Sequence, residues 1–270
     1  MPEVAGHRLI LVVGPTAAGK TARAVELARQ YGTEIVSCDS RQFYSELRIG
    51  VARPTAEELA LAPHHFIACR SVERPYNVFE YERDAMEVIH RLFLNHEVVV
   101  AVGGSGLYID ALRQGVASMP DPTPELRAEL QAIPLEEKRV RLRLLDPDYY
   151  ARVDLRNPVR LQRALEVCMM TGKPYSQVLA MQQPAVRDFE IEMCLVSRDA
   201  ATLRERIKRR VDAMMEDGLL EEVASVSPLR HLQTLRTVGY RELFPVLDGE
   251  DSLDHAVEMI KLNTWHYARK

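Results

Sequence analysis

LILVVGPTAAGKT, residues 9–21, joins a five-residue apolar run to Gly14, four further residues, and Gly19-Lys20-Thr21. An apolar run of that length reads as a strand buried on both faces, and G-x-x-x-x-G-K-[ST] directly after it reads as a phosphate-binding loop opening a helix. The backbone N–H groups of such a loop and the helix N-terminus form an anion cradle. Lys20 supplies a point charge, and the Thr21 hydroxyl is of the type that ligates Mg²⁺ between phosphate oxygens. A nucleoside triphosphate is the usual occupant, but the pattern alone does not specify the phosphate compound.

Working outward, Ala24, Leu27, Ala28 and Tyr31 recur at helical spacing, which predicts a helix over 20–31 closed by Gly32. EIVSCD (34–39) predicts a second strand ending at Asp39, beside the first, and HHFIAC (64–69) a third. A helix over 78–95 then leads to a fourth strand at 98–102 and the turn GGSG (103–106). Strands alternating with helices imply an α/β fold with a doubly wound parallel sheet. After Gly115 the pattern changes to the proline-rich SMPDPTPELRAEL (118–130) and then to helical periodicity. We therefore expect a catalytic core from residues 1–118 and 192–270, with an inserted all-helical domain over 119–191. Within the insertion, Asn157 reads as an N-cap, Pro158 as the first helical residue, and Gly172 with Pro174 as the stop. EMCLVS (192–197) reads as a strand returning to the sheet, followed by the basic helix DAATLRERIKRRVDAMMEDG (199–218).

With 270 residues, 47% hydrophobic and 27% charged, the chain has enough apolar material for a full α/β core, which excludes disordered and collagen-like classes. Cys38, Cys69, Cys168 and Cys194 show no C-x-x-C or short His/Cys spacing, so reduced thiols are expected rather than a disulfide frame or a zinc site. No basic-then-apolar leader and no 18-residue apolar run occurs, so a cytoplasmic enzyme without membrane association is expected. The net charge of −4 argues against non-specific coating of nucleic acid. It hides two basic clusters: eight Lys/Arg against three Asp over 138–163, and six against two acidic residues over 197–210. Two such runs on a mildly acidic protein point to a polyanionic partner.

Asp39, at the carboxyl end of a strand, faces the crevice where open α/β sheets bind ligands. Such a carboxylate can hold Mg²⁺ through water, act as a general base, or cap the turn through Ser40. The fourth strand runs into GGSG with no acidic residue at its end, so the carboxylate with which an ATPase anchors Mg²⁺ is missing, which weakens an NTP hydrolase reading. Arg206 and Arg210 lie one helical turn apart and share a face.

GPTAAGKT, DSRQFY, HHFI, VVVAVGGSGLYI, NPVRLQRALEV with TGKP, RIKRRVDAMMEDGLLEEV and RTVGYRE together resemble the tRNA dimethylallyltransferases (tRNA isopentenyltransferases), in family order and over nearly the whole chain. The resemblance implies a P-loop NTPase-like core with a helical insertion that grips a tRNA anticodon stem-loop, and prenyl transfer from dimethylallyl diphosphate to N6 of the adenine 3′ of the anticodon, with Mg²⁺ and as a monomer. It implies that Asp39, Thr16 and Arg210 are catalytic. Gly14, Pro15, Thr16, Ala17, Ala18, Gly19, Lys20, Thr21 and Arg206 would bind the diphosphate, with Thr21 on the metal. The implied tRNA contacts are Asp39, Ser40, Arg41, Gln42, Ser105, Arg127, Val159, Arg160, Leu161, Gln162 and Arg163, with Arg236, Thr237, Val238, Gly239, Tyr240 and Arg241. GVARP (50–54) departs from the usual G-T-A-K-P, and Trp265 stands where arginine is usual. The alternatives are a small-molecule kinase using the loop for ATP, an adenylate isopentenyltransferase acting on free nucleotides, and a catalytically silent RNA-binding protein.

Overall fold

The computed structural model describes residues 6–116, 119, 121–181 and 184–269. The chain forms two compact units: one runs through Gln114 and resumes at Val186, and the other is Gly115–Ala185. Ser118 and Pro120 of the proline-rich stretch, and with them the boundary expected after residue 118, lie outside the described residues.

In the first unit the order is β1 (Arg8–Val13), α1 (Lys20–Tyr31), β2 (Ile35–Ser37), α2 (Ala56–Leu61), β3 (His64–His65), α3 (Val78–Phe93), β4 (Val98–Val102) and α4 (Gly106–Gln114). The helical unit contributes α5 (Pro124–Ala132), α6 (Leu135–Leu145), α7 (Pro147–Tyr150), α8 (Pro158–Thr171) and α9 (Tyr175–Ala180). The first unit then resumes with β5 (Glu190–Leu195), α10 (Ala200–Glu216), α11 (Leu219–Val226), α12 (Tyr240–Leu247) and α13 (Leu253–Ala268).

The five strands form one parallel sheet in the order β3-β2-β4-β1-β5. Strand alternation explains why β1 and β4 carry unbroken apolar runs. Leu9, Leu11, Val99 and Ala101 pack on one face with α3 and α4, and Ile10, Val12, Val98, Val100 and Val102 pack on the other with α1. β2 is not beside β1 as expected, because β4 lies between them. A strand buried on both faces needs a partner on both edges, and α3 carries the chain from the β3 edge back into that slot. The third strand stops after His65: Phe66 and Ala68 have φ of 63° and 51°, and the chain turns so that Ala68 N–H donates to Gln42 O at 2.9 Å. Tyr31 stays 37% exposed instead of joining the core, with the Arg8 guanidinium 5.7 Å from its ring centroid.

A third core joins α10, α11, α12 and α13 through Leu203, Ile207, Leu219, Val223, Leu243 and Ile260. The helical unit has a core of its own from Leu130, Leu142, Leu161, Ala164 and Leu165. Its α8 is capped as the sequence predicts: the Asn157 side chain accepts from Arg160 N–H, and Gly172 ends the helix at φ 65°.

Gly14 fixes the exit from β1. Its φ is +149°, and a Cβ there would sit 2.1 Å from the Val196 carbonyl oxygen at the end of β5. Gly14→Ala is expected to cost about 1–3 kcal/mol through overpacking and strain, read as a lower Tm in thermal unfolding.

Candidate active site

The loop between β1 and α1 turns on itself before it faces outward. Ala18 N–H donates to Pro15 O at 3.3 Å, Ala17 adopts φ 63°, and Gly19 adopts φ 102° at the start of α1. Ala18 is fully buried, so it shapes the loop rather than presenting its amide to a ligand. Lys20 Nζ donates to Pro15 O at 2.8 Å, which holds the ammonium over the loop with two N–H groups to spare. A Cβ on Gly104, in the turn after β4, would stand 3.5 Å from Lys20 Nζ, so the glycine leaves the space above the ammonium open.

Asp39 follows β2 in a tight turn. Its Oδ1 accepts from Arg41 N–H at 3.0 Å, and its own N–H donates to Ser37 Oγ at 3.3 Å. The turn is braced from several sides. Ser105 Oγ accepts from Ser40 N–H at 3.2 Å and lies 3.1 Å from Ser40 Oγ, Arg41 Nη1 donates to Thr234 O at 3.0 Å, and Gln42 Nε2 donates to Val51 O and Ala52 O. Underneath, fully buried Phe43 stacks on Tyr81 at 5.2 Å, and the Tyr81 hydroxyl donates to Ser37 O at 2.9 Å. These aromatic rings are the floor on which the Asp39 turn rests.

Helix α10 crosses the loop and brings two guanidinium groups to it. Arg206 Nε donates to Ala17 O at 2.6 Å, and Arg210 Nη1 donates to Thr16 Oγ1 at 3.2 Å. A cleft of about 540 Å³ results, lined by Thr16, Ala17, Gly19, Lys20, Thr21, Asp39, Gln42, Arg206 and Arg210. A second cleft of about 500 Å³ is lined by Ser40, Arg41, Ser105, Tyr108, Val238, Tyr267 and others, and it shares Thr16, Asp39 and Arg210 with the first. Those three side chains are the partition between the two spaces.

The charges of the partition act on one another. Burial pushes the Lys20 ammonium down to about 8; the nearby Asp39 opposes this and the Arg210 charge adds to it. Burial likewise lowers Arg210, with Asp39 opposing. Lys20 therefore loses its charge as pH rises through about 8, so affinity for inorganic diphosphate should fall from pH 7 to 9 in calorimetric titrations. Lys20→Met should lack that decline, which separates it from the titration of diphosphate itself. The lysine's own contribution to the stability of the free protein has the opposite sign. It rises between about 8 and 10.5, where the unfolded chain holds the proton and the folded one does not.

The donor set bears on Mg²⁺. Among the described residues no cluster of three or more His, Cys, Asp or Glu can hold a cation unaided. The Thr21 hydroxyl and the Asp39 carboxylate line the same cleft as the phosphate loop, which fits an ion carried mainly by phosphate oxygens and water.

The remaining expected residues divide. Arg236, Thr237, Val238, Gly239 and Arg241 line the second cleft. Tyr240 does not: it is fully buried, and its hydroxyl donates to Glu222 at 2.5 Å, so its side chain belongs to the core. Arg127 and Val159–Arg163 belong to the helical unit, where Arg127, Val159 and Arg160 are exposed. Leu161 is core, Gln162 is held by Lys138 and Glu166, and Arg163 pairs with Glu166 at 3.4 Å. The Leu161 and Tyr240 side chains are thus excluded as RNA contacts, because apolar burial already uses them.

Sequence reasoning missed Arg53 and Arg209 in the first cleft and Tyr108, Met214 and Tyr267 in the second. Ile260, Thr264 and Tyr267 recur at i, i+4 and i+7 on α13, a face that periodicity alone could have marked. Of the departures, Val51 is 8% exposed, and Arg53 donates to the carbonyls of Tyr44, Ser45 and Leu47. Trp265 receives the Arg204 guanidinium at 4.6 Å, where an arginine would set two like charges together. No helix among the described residues is long and apolar enough to cross a membrane.

The family model for IPP transferases matches residues 42–270. The tRNA dimethylallyltransferase 1 of Bacteroides thetaiotaomicron is 48% identical over 266 residues, covering 97% of this chain and 86% of that protein. Among solved structures, the full-length tRNA isopentenylpyrophosphate transferase of Bacillus halodurans is 31% identical with a TM-score of 0.68, over 97% of this chain and 84% of that one. A eukaryotic dimethylallyltransferase acting on tRNA shares the fold at 23% identity and a TM-score of 0.83, over 97% and 68% of the two chains. With the family model matched over residues 42–270 and a relative 48% identical over 97% of the chain, the chain belongs to the IPP transferase family.

Proposed function

We propose that the protein transfers a dimethylallyl group from dimethylallyl diphosphate to N6 of the adenine 3′ of the anticodon, in tRNAs reading codons that begin with U. The observation that carries this reading is the pair of clefts meeting at Thr16, Asp39 and Arg210. On this reading the first cleft takes the diphosphate and the second the base, so donor and acceptor would meet at that partition. A small-molecule kinase would explain the phosphate loop but not the basic cluster over 138–163.

The loop amides, Lys20, Arg206 and Arg210 hold the diphosphate of the donor. Bound Mg²⁺, held by Thr21 and the phosphates, would add charge neutralisation there. The adenine leaves its stack and enters the second cleft, as bases of single-stranded loops do. The N6 lone pair is delocalised into the purine, so N6 becomes nucleophilic only as its proton departs. Asp39 takes that proton while the N6–carbon bond forms. The carbon–oxygen bond to diphosphate breaks, and diphosphate leaves with the electron pair. Charge grows on the bridging oxygen, where the cations of the loop and of α10 are already placed.

The test is mass spectrometry of tRNA after incubation with the protein, dimethylallyl diphosphate and Mg²⁺, beside arms with EDTA, with ATP and with free AMP as acceptor. Prenylated adenosine in the tRNA arm, without any need for ATP, supports the reading. Prenylation of AMP alone would favour the adenylate transferase instead.

A further inference from the structure

One partly buried contact joins α11 to the loop after residue 47 and to Tyr240. The Glu222 side chain on α11 reaches the loop after residue 47. Its Oε2 accepts from Arg48 N–H at 3.0 Å and Ile49 N–H at 2.8 Å, and its Oε1 accepts from Gly50 N–H at 3.0 Å and the Tyr240 hydroxyl at 2.5 Å. Three successive amides around one carboxylate are an anion nest, supplied here by the protein's own side chain. The loop so held is strained, with non-glycine Ala52 at φ 44°, and conformations of this kind persist only where surrounding contacts enforce them. From the opposite side Gln42 donates to Val51 O and Ala52 O.

The loop has a position that gives this contact consequence. Ala52 and Arg53 line the diphosphate cleft, while Gly50 and Val51 line the second cleft. The Tyr240 ring lies so close beneath Gly50 that a Cβ there would come within 2.5 Å of it, and Tyr240 is continuous with the Thr237–Gly239 wall of the second cleft. We infer that Glu222 is a positioning residue: its carboxylate ties the 48–53 loop to Tyr240 and so sets the walls of both clefts relative to the Thr16–Asp39–Arg210 partition. The inference rests on the prenyl-transfer reading for its kinetic consequence, not for the tie itself.

Glu222→Gln tests it with little change of shape, since the new amide nitrogen is a donor set against donors at either oxygen position. The expected result is a rise in KM for both dimethylallyl diphosphate and tRNA, with kcat/KM down about a hundredfold, as misplacement by an ångström produces. Amides 48–50 should exchange with deuterium faster by about tenfold or more while α1 is unchanged. Tyr240→Phe, which removes one of the four hydrogen bonds and keeps the ring, should shift the same quantities in the same direction by less. A role confined to stability would lower the active fraction, reducing Vmax with both KM values unchanged, and that result overturns the inference. If the wild-type protein transfers no prenyl group, the functional reading fails. The tie is then judged by exchange and by inorganic diphosphate affinity: weaker binding in Glu222→Gln supports it, and unchanged binding overturns it.

Discussion

Asp39→Asn is expected to lower kcat for prenyl transfer about 10²–10⁴-fold, the range for removing a general base, while tRNA affinity stays within a few-fold. Asparagine is the informative substitution because its carbonyl can still accept from Arg41 N–H, the bond that closes the turn at 3.0 Å. The turn survives and only the proton acceptor is lost. Asp39 is the sole acidic side chain among the described residues lining the second cleft. Asp39→Ala should reach the same low rate with some added loss of order in residues 39–42. Single-turnover rates with saturating tRNA, measured beside filter-binding affinities, check both variants. Undiminished prenylation by Asp39→Asn would mean that the proton leaves to water or to phosphate and that Asp39 only shapes the turn.

Arg210→Ala is expected to reduce kcat about 10²–10³-fold, comparable to deleting one preorganised donor from an oxyanion site. Arg210 lines both clefts and hydrogen-bonds Thr16 at 3.2 Å, which in the proposed reaction would set its guanidinium beside the leaving oxygen. Arg210→Lys should recover only part of the rate, because an ammonium cannot hold two phosphate oxygens in a planar fork. Thr16→Ala should do less damage on its own and should be less than additive with Arg210→Ala, as expected when one residue acts by orienting the other. Pre-steady-state quench-flow, which separates chemistry from product release, is the measurement to use. A full effect on KM with none on kcat would place Arg210 in ground-state binding instead.

Much of the fold can be read along the chain wherever a strong local pattern coincides with burial. β1, α1, β4 and α8 fall where apolar runs, helical spacing and capping residues put them, because both faces of the central strands are covered and α8 carries its own start and stop signals. The third strand is shorter than HHFIAC suggests. That stretch has strand composition, whereas Phe66 and Ala68 take left-handed conformations that follow from contacts with Gln42 and Phe43. Local propensity contains nothing of that kind.

The site divides the same way. The phosphate loop is a contiguous motif with a contiguous mechanism, so Gly14 to Thr21 are legible from residue types and spacing alone, whereas the second strand ends at Ser37 and leaves Asp39 in the turn after it. That Ala18 faces inward, that Leu161 and Tyr240 are core, and that Tyr267 walls the second cleft depend on helix rotation and on packing between distant segments. Glu222 reads as one more acidic residue on a helix surface, and nothing in DGLLEEV marks it as the acceptor for a loop over 170 residues away.

The sequence by itself determined the chemistry available: a phosphate-binding loop, one carboxylate just after the second strand, and a helix carrying Arg206 and Arg210. These depend on interactions between near neighbours, whose geometry the backbone dictates. Only the tertiary structure decided that the cradle's cleft and a second cleft share Thr16, Asp39 and Arg210, and that β4 separates β1 from β2. Those arrangements follow from which buried faces meet, and that is settled by packing over the whole chain at once.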